Sequence, residues 1–253
     1  MNSEEIPEGF EEAFFSLHTA LPREGPGGTA ETLRALEIAA VPPSARMADM
    51  GCGPGASATV LLEARPEGTL FACDLHAPFV TEARRRAKRL GATARLDAQV
   101  ADMLAPPLEP ASLDLIWCEG AIYNVGVAEA LTAWRPLLAP GGRAAFSEVV
   151  RKRARMSERA EALWEQYPAM TDHAGVRARI EAAGWRLIDA FDLPDACWDA
   201  YYGPLESRAD ALEARLRRTE GGRAALAAER EEVAVWRGCR GEYGYAFFIV
   251  EPA

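Results

Sequence analysis

The five cysteines of the 253-residue chain are scattered, and no two of them form a C-x-x-C pair. Neither a disulfide framework nor a metal site is therefore expected. The sequence also lacks an apolar run of the ~18 residues that a membrane span needs. Its N-terminus, Met1 to Glu5, is acidic and does not have the basic-then-apolar order of a signal peptide. These absences predict a chain without a membrane span, and they favour the cytoplasm.

Basic residues are the minority among the charged ones. The chain has 28 Lys and Arg against 38 Asp and Glu, a net charge of −10. A surface of this charge repels phosphate backbones, so no nucleic-acid partner is expected. Histidine is also scarce, with three residues, His18, His76 and His173. The number of candidate histidine bases is correspondingly small.

One glycine-rich loop stands between a predicted strand and a predicted helix. Residues 46–50 form a short buried strand after two prolines, and residues 56–64 form a helix. Between them, Gly51, Gly53 and Gly55 leave no Cβ between the backbone and a ligand. Such a loop opens a nucleotide pocket, because the N–H groups at the start of the helix point at the ligand.

Two classes of cofactor are bound by loops of this kind. Gly51, Gly53 and Ala56 fit the G-x-G-x-x-G/A pattern of dinucleotide enzymes. Asp49, two residues before the first glycine, and the third glycine, Gly55, instead favour S-adenosylmethionine (SAM). The spacing of the glycines alone does not separate the two classes.

An acidic residue ends the next predicted strand. This residue, Asp74, follows Gly51 by 23 positions. In a βαβ unit an acid near this distance lies at the carboxyl end of the second strand and binds the ribose hydroxyls. Its carboxylate accepts two charge-assisted hydrogen bonds from the diol. The alternative is that Asp74 caps the helix that begins near Pro78.

The rest of the pattern alternates strands and helices. Further strands are predicted at about 93–100, 113–118, 143–150, 185–193 and 243–251, with helices at about 8–20, 29–40, 77–90, 127–138, 156–167 and 172–183. The last strand is expected to enter the sheet at its edge. Residues 194–240 are an insertion, and its Ala-, Glu- and Arg-rich part, 206–236, is interpreted as a solvated helical pair broken at Gly221-Gly222. The N-terminal helix and residues 22–28 either cover the core or close over the cofactor.

These motifs resemble those of the class I SAM-dependent methyltransferases. The Asp49–Gly55 loop, Asp74, Asp102-Met103 and Glu119 at the end of the fourth strand follow in the family's order. The whole chain resembles a bacterial subgroup of small-molecule methyltransferases, often labelled with the ubiquinone/menaquinone-biosynthesis methyltransferases. The resemblance implies one α/β, Rossmann-like domain over residues 1–253. Its seven-stranded sheet has the order 3-2-1-4-5-7-6, with strand seven antiparallel and helices on both faces.

The resemblance also implies a site for SAM and its product S-adenosylhomocysteine (SAH). Asp102 takes the exocyclic amine of adenine, and Met103 packs on the ring. The implied cofactor-binding residues are Asp49, Gly51, Cys52, Gly53, Asp74, Leu75, Asp102, Met103 and Glu119. The N-terminal segment 1–28 is expected to act as a helical lid.

A small-molecule acceptor is expected beside the cofactor, under the helical insertions 151–170 and 194–240. Aromatic residues concentrate there and after the fourth strand. The predicted acceptor-binding residues are Tyr123, Asn124, Trp164, Tyr167, Trp198 and Tyr202. The alternative for each aromatic residue is a place in the core.

The chemistry follows from the sulfonium of SAM, which leaves as a neutral thioether. Holding the acceptor in line with the methyl group is worth roughly 7–11 kcal/mol. A base is needed only when the acceptor must lose a proton. The catalytic candidates are Glu119, which ends a strand beside the methyl group, and His18, if the N-terminal helix folds over the site. A purely structural Glu119 would instead pair with Arg143 or Arg151.

Two other functions compete with methyl transfer. An NAD-dependent oxidoreductase would use the same loop and Asp74, but the sequence has no Tyr-x-x-x-Lys dyad. A non-catalytic SAM-binding protein would keep the loop and lose the acceptor pocket. The chain is expected to be a monomer or a homodimer.

Overall fold

Seven strands form one mixed sheet in the computed structural model, which describes residues 6–253. The prediction for Met1 to Glu5 lies outside the described residues. The strands are β1 (Arg46–Met50), β2 (Thr69–Asp74), β3 (Leu96–Val100), β4 (Leu113–Cys118), β5 (Leu138–Arg151), β6 (Trp185–Asp192) and β7 (Tyr243–Pro252). Their order is β3-β2-β1-β4-β5-β7-β6, and β7 runs antiparallel to both neighbours. The predicted strand order and the antiparallel seventh strand are confirmed.

Helices connect most of these strands. They are α1 (Phe10–His18), α2 (Thr29–Ala39), α3 (Ala56–Ala64), α4 (Ala77–Arg89), α5 (Val127–Trp134), α6 (Glu158–Trp164), α7 (His173–Ala182), α8 (Asp195–Leu216) and α9 (Glu220–Gly238). In the part of the chain that the structure describes, no helix combines the length and the apolar character needed to cross a membrane.

The two faces of the sheet are buried against different helices. On β4, Leu115 and Trp117 belong to one apolar cluster and Ile116 and Cys118 to the other, because successive side chains of a strand alternate. Helices α2, α3, α8 and α9 share the first cluster, while α5 and α7 share the second. Since both faces are covered, interior strands such as β1, β4 and β7 are buried along nearly their whole length. The prediction of helices on both faces is confirmed.

The position of the last strand differs from one expectation. Strand β7 lies between β5 and β6 and not at the edge of the sheet. Its residues 243–250 are all buried, because β7 is paired along both sides and covered on both faces. The apolar, aromatic character of this strand is therefore the mark of an interior position. The edge strand on this side is β6.

The insertion 194–240 forms the two helices α8 and α9, and its break lies earlier than expected. The chain turns at residues 217–219, and Gly221 and Gly222 are inside the first turn of α9. The hydroxyl of Thr219 caps α9 by accepting from the Gly222 amide at 3.1 Å. Gly221 packs against the backbone at Gly9, where a Cβ would collide. This pair of helices is not simply solvated, since Leu226 and Val233 are buried in the core.

Candidate cofactor and acceptor site

The glycine loop makes the floor of the site. Gly51, Gly53 and Gly55 have φ angles of 74°, 52° and 85°, in the left-handed region that favours glycine. The amides of Gly51 and Cys52 both donate to the Cys73 carbonyl at 2.9 Å, so the loop is tied to the end of β2. A Cβ on Gly51 would lie 2.5 Å from the Ala121 Cβ, which leaves no room for a side chain there.

A cavity of about 570 Å³ opens above this loop, beside the carboxyl ends of β1, β2 and β4. In open α/β sheets this edge is where ligands bind. The predicted site residues that line the cavity are His18, Gly51, Cys52, Gly53, Asp74, Leu75, Glu119, Tyr123 and Asn124. One wall of the cavity therefore comes from the ends of the strands, and another comes from the N-terminal segment.

Asp74 is held in the cavity wall by backbone amides. Its Oδ2 accepts from the Gly53 amide at 3.0 Å, and its Oδ1 accepts from the His76 amide at 2.8 Å. The second bond orders the turn just before α4, which begins at Ala77. Asp74 does not cap α4, because the N-cap residue is His76 and no side chain caps this helix. Its carboxylate lines the cavity, and its binding of the ribose hydroxyls stays a prediction.

Asp49 lies behind the loop and does not line the cavity. It is fully buried, and its Oδ2 accepts from the Ser57 hydroxyl at 2.7 Å, which ties the end of β1 to the first turn of α3. Burial raises the pKa of Asp49 to about 7, against the hydrogen bond from Ser57, which lowers it. The structure gives Asp49 a role in shaping the loop, with no direct exposure to a cavity ligand.

Asp102 and Met103 also stand outside the lining of this cavity. Asp102 accepts from the Leu104 amide at 2.8 Å in the turn after β3. The Met103 carbonyl accepts from the Trp134 indole at 2.8 Å. A Cβ on Gly51 would lie 3.5 Å from Met103 Cε, so the methionine side chain borders the floor of the site.

Glu119 is buried where β4 ends, and both of its oxygens are engaged. Its Oε1 accepts from Arg23 Nη2 at 3.3 Å. Its Oε2 accepts from the Thr32 hydroxyl at 2.9 Å and from the Trp117 indole at 3.3 Å. Burial raises the pKa of the Glu119 carboxyl, although Arg23 opposes this shift. Glu119 thus joins the sheet to the N-terminal segment.

The arginine that pairs with Glu119 differs from the two that the sequence suggested. Arg143 donates to the Ala39 carbonyl at 2.6 Å, and Arg151 pairs with Glu161 at 2.7 Å. The partner is Arg23, 96 positions away in the chain. Because the N-terminal segment folds back over the sheet, a residue with no sequence proximity reaches the end of β4.

His18 lies in the site, but not as a free base. Its Nδ1 is 2.7 Å from Glu24 Oε2, and its Nε2 is 3.2 Å from Glu229 Oε1. Burial lowers the pKa of His18, but the hydrogen bonds and charges of Glu229 and Glu24 outweigh it and raise that pKa to about 9. The ring is therefore an imidazolium at neutral pH, with both nitrogens engaged. The structure places His18 in the cavity wall with both ring nitrogens engaged, and a catalytic role for this residue stays a prediction.

The acceptor-binding predictions divide into two groups. Tyr123 and Asn124 line the cavity. Tyr167 packs edge-on at 5.9 Å from the Tyr123 ring and donates to Glu148 at 3.3 Å, outside the lining. Within the described residues, the segment 151–170 contributes no lining side chain. The expectation that this segment covers the acceptor is not supported by the cavity walls.

Two predicted acceptor residues, Trp198 and Tyr202, belong to the core, and a third, Trp164, is partly buried against it. Trp164 packs edge-on against Tyr243, and Trp198 stacks on Trp236 with ring centroids 4.2 Å apart. Tyr202 is buried, and its hydroxyl donates to Glu232 Oε1 at 2.9 Å. Large aromatic rings gain most from burial against the sheet, so their concentration in the insertions marks helix packing. Trp164, Trp198 and Tyr202 stand outside the cavity lining, so the structure does not bring them to the predicted acceptor site.

Ten charged or aromatic residues of the cavity wall were not among the predicted site residues. Five lie on or beside α1 and α4, and they are Glu11, Phe14, Phe15, His76 and Phe79. The other five are Arg23, Glu24, Tyr201, Glu229 and Glu232. The glutamates of α9 stand three positions apart, beside the buried Leu226 and Val233, so they share the inward side of the helix. The placement of two acids on an apolar helix face was the sequence signal that could have predicted Glu229 and Glu232 as cavity residues. Arg23 and Glu24 stand within a segment rich in proline and glycine and carry no pattern.

The fold and the glycine loop define a class of protein. The chain has the fold of the class I SAM-dependent methyltransferases, as the resemblance implied. A solved SAM-dependent methyltransferase from Geobacter sulfurreducens, in complex with SAH, superposes with a TM-score of 0.84 at 19% identity and covers 96% of this chain and 98% of its own. At this identity the similarity shows the fold.

A domain family and two curated relatives are more specific. Residues 47–142 match the family described as Methyltransferase domain. Trans-aconitate 2-methyltransferase from Streptomyces avermitilis is 35% identical over 104 residues, 40% of this chain and 38% of that protein. Malonyl-[acyl-carrier protein] O-methyltransferase from Methylococcus capsulatus is 31% identical over 157 residues, which are 58% of this chain and 54% of that protein. The chain spans about half or less of the length of these curated relatives.

Proposed function

We propose that this chain binds SAM in the cavity and transfers its methyl group to a small-molecule acceptor by in-line displacement. The observation that carries the proposal is the glycine floor with the Asp74 carboxylate in the adjoining wall. The cavity volume of about 570 Å³ suits a small-molecule site. The match of residues 47–142 to a methyltransferase domain supports the same function.

The residues present fit such a cofactor. Gly51 and Gly53 line the cavity, and because glycine has no side chain they present backbone atoms to a ligand. Asp74, preorganised by two amides, offers its carboxylate to the ribose hydroxyls. Asp102 and Met103, at the border of the floor, remain our proposed adenine contacts. When bound, SAM supplies an electrophilic methyl group on a positively charged sulfur.

The N-terminal segment forms one side of this site. Phe14 and Phe15 of α1 line the cavity, and the His18 ring bonds to Glu229 on α9, so α1 is pinned across the opening. The Glu119–Arg23 pair holds the following loop against the end of β4. We assign Glu119 a positioning role, because its two oxygens already accept three hydrogen bonds, from Arg23, Thr32 and the Trp117 indole.

Calorimetry with SAM, SAH and NAD tests the proposal. We expect SAM and SAH to bind and NAD not to bind. NAD binding without SAM binding would indicate an oxidoreductase instead. Formation of SAH from SAM on addition of a small-molecule acceptor separates an enzyme from a non-catalytic SAM-binding protein.

The net charge of −10 supports a small-molecule acceptor over a nucleic acid. A monomer or homodimer in the cytoplasm remains our prediction, and sedimentation of the purified chain measures its oligomeric state.

A further inference from the structure

Three glutamates form an acidic wall in the cavity. Glu24 follows the N-terminal helix, and Glu229 and Glu232 lie on α9. The Oε1 atom of Glu24 and the Oε2 atom of Glu229 are buried and have no hydrogen-bond partner among residues 6–253. Glu229 is only 4% exposed, so its free oxygen is not satisfied by bulk water. A buried carboxylate oxygen without a partner is costly, and it calls for a donor.

The cations of the cavity do not neutralise this wall. In the described part of the chain, Arg23 is the one arginine or lysine that lines the cavity, and it is paired with Glu119. His18 contributes one positive charge, which Glu24 and Glu229 share. Two carboxylates and one imidazolium leave a net charge of −1 before Glu232 is counted.

Glu232 is the third carboxyl group of this wall. Its Oε1 accepts from the Tyr202 hydroxyl at 2.9 Å, and within residues 6–253 no salt bridge reaches this carboxylate. Burial and the nearby Glu229 raise the pKa of Glu232 to about 7, while Tyr202 and His18 lower it. A cation placed beside Glu232 would stabilise its charged form.

Aromatic side chains surround the same space. Tyr123 follows β4, Tyr201 lies on α8 and Phe14 on α1, and all three line the cavity with the glutamates. A ring face attracts a positive charge within about 6 Å of its centroid. The combination of unneutralised carboxylates and aromatic rings is complementary to an organic cation, while an anionic acceptor would meet like charge.

We propose that the methyl acceptor is a small molecule that carries a protonated amine, and that Glu232 and the free oxygen of Glu229 bind this ammonium group. The proposal rests on the proposed function, since it names the class of acceptor for the same cavity. Tyr123 and Tyr201 provide the apolar walls for the carbon skeleton of this acceptor. The ammonium group anchors the acceptor and donates the hydrogen bonds that the buried oxygens lack.

A series of three matched probes tests the recognition. The full chain is saturated with SAH, and 2-phenylethylamine, 2-phenylethanol and 3-phenylpropanoate are titrated in turn. These probes share one aromatic skeleton and differ in carrying a positive, a neutral and a negative group. We expect the amine to bind about ten- to hundredfold more tightly than the alcohol, because it makes charge-assisted hydrogen bonds, and the carboxylate to bind worst.

Two variants locate the effect. Glu232→Gln is expected to remove most of the preference for the amine, while SAH affinity is unchanged. Glu231→Gln is the matched control, because it makes the same change on the adjacent residue of α9, whose carboxylate faces solvent and pairs with Arg159. We expect this control to keep the preference for the amine.

The outcomes distinguish the two proposals. If SAH does not bind to the wild-type chain, the proposed function fails. If SAH binds but the amine binds no better than the alcohol, or not at all, the ammonium proposal alone is overturned. It is also overturned if Glu232→Gln weakens SAM or SAH instead of the amine, because the carboxylate would then serve the cofactor.

Discussion

His18 is expected to make the stability of the folded chain depend on pH between 6.5 and 9. Its pKa is raised from 6.5 to about 9, because the bonds to Glu229 and Glu24 outweigh the effect of burial. A folded-state pKa above the unfolded value means that the folded chain holds the proton more tightly. The contribution to stability is therefore complete below pH 6.5 and is lost as the pH rises to about 9.

The size of this contribution follows from the pKa shift. Each pH unit corresponds to about 1.4 kcal/mol, so the shift of His18 corresponds to about 3 kcal/mol. In His18→Gln the side chain keeps hydrogen-bonding capacity but cannot take the proton. We expect this variant to be less stable than the wild type by about 3 kcal/mol at pH 6.5. The difference should approach zero above pH 9.

Urea denaturation of both proteins across this pH range measures the difference, and NMR titration of the imidazole measures the pKa of His18 directly. His173→Gln is the control, because His173 is exposed and pairs with Asp192 on the surface. Such a pair contributes at most about 1 kcal/mol. If the stability difference between His18→Gln and the wild type does not change with pH, or if the ring titrates at or below 6.5, the pairing of His18 with Glu24 and Glu229 is refuted.

Three further predictions concern the floor, the wall and the core. Asp74→Ala should weaken SAH binding about ten- to hundredfold by calorimetry, because a charged hydrogen-bond partner is lost. The exposed Asp97→Ala should not weaken it. Gly51→Ala should lower the melting temperature more than Gly241→Ala, since both have positive φ but only the first lacks space for a Cβ. Equal losses would contradict the tight floor. Trp198→Ala should cost about 3–5 kcal/mol in urea denaturation without changing the SAH affinity of the folded protein. Loss of SAH affinity would return Trp198 to the site.

The elements that the sequence predicted best are those with local patterns. Strand β1, the glycine loop and the start of α3 are consecutive, so apolar run, turn and helix appear in one stretch of about 20 residues. Asp74 was found because it ends the next strand of the same unit. The strand order came from the resemblance, and the structure confirms it.

The acceptor-site predictions failed where they depended on the type of residue and not on a sequence pattern. Aromatic residues such as Trp164 and Trp198 are suited both to a ligand pocket and to a core, and sequence offers no measure of which side of a helix meets the sheet. On α8, Trp198 and Tyr202 are buried in the core, while Tyr201 lines the cavity. On α9, Glu232 also lines the cavity.

The sequence by itself determined where the strands lie along the chain, the glycine floor and the position of Asp74 at the end of β2, because each depends on residues near one another in the chain. Only the tertiary structure decided the charge of the cavity. Glu229 meets His18 across 211 positions, and Arg23 meets Glu119 across 96. A buried charge is defined by its partners, and these partners come together only when the N-terminal segment and α9 close over the same edge of the sheet.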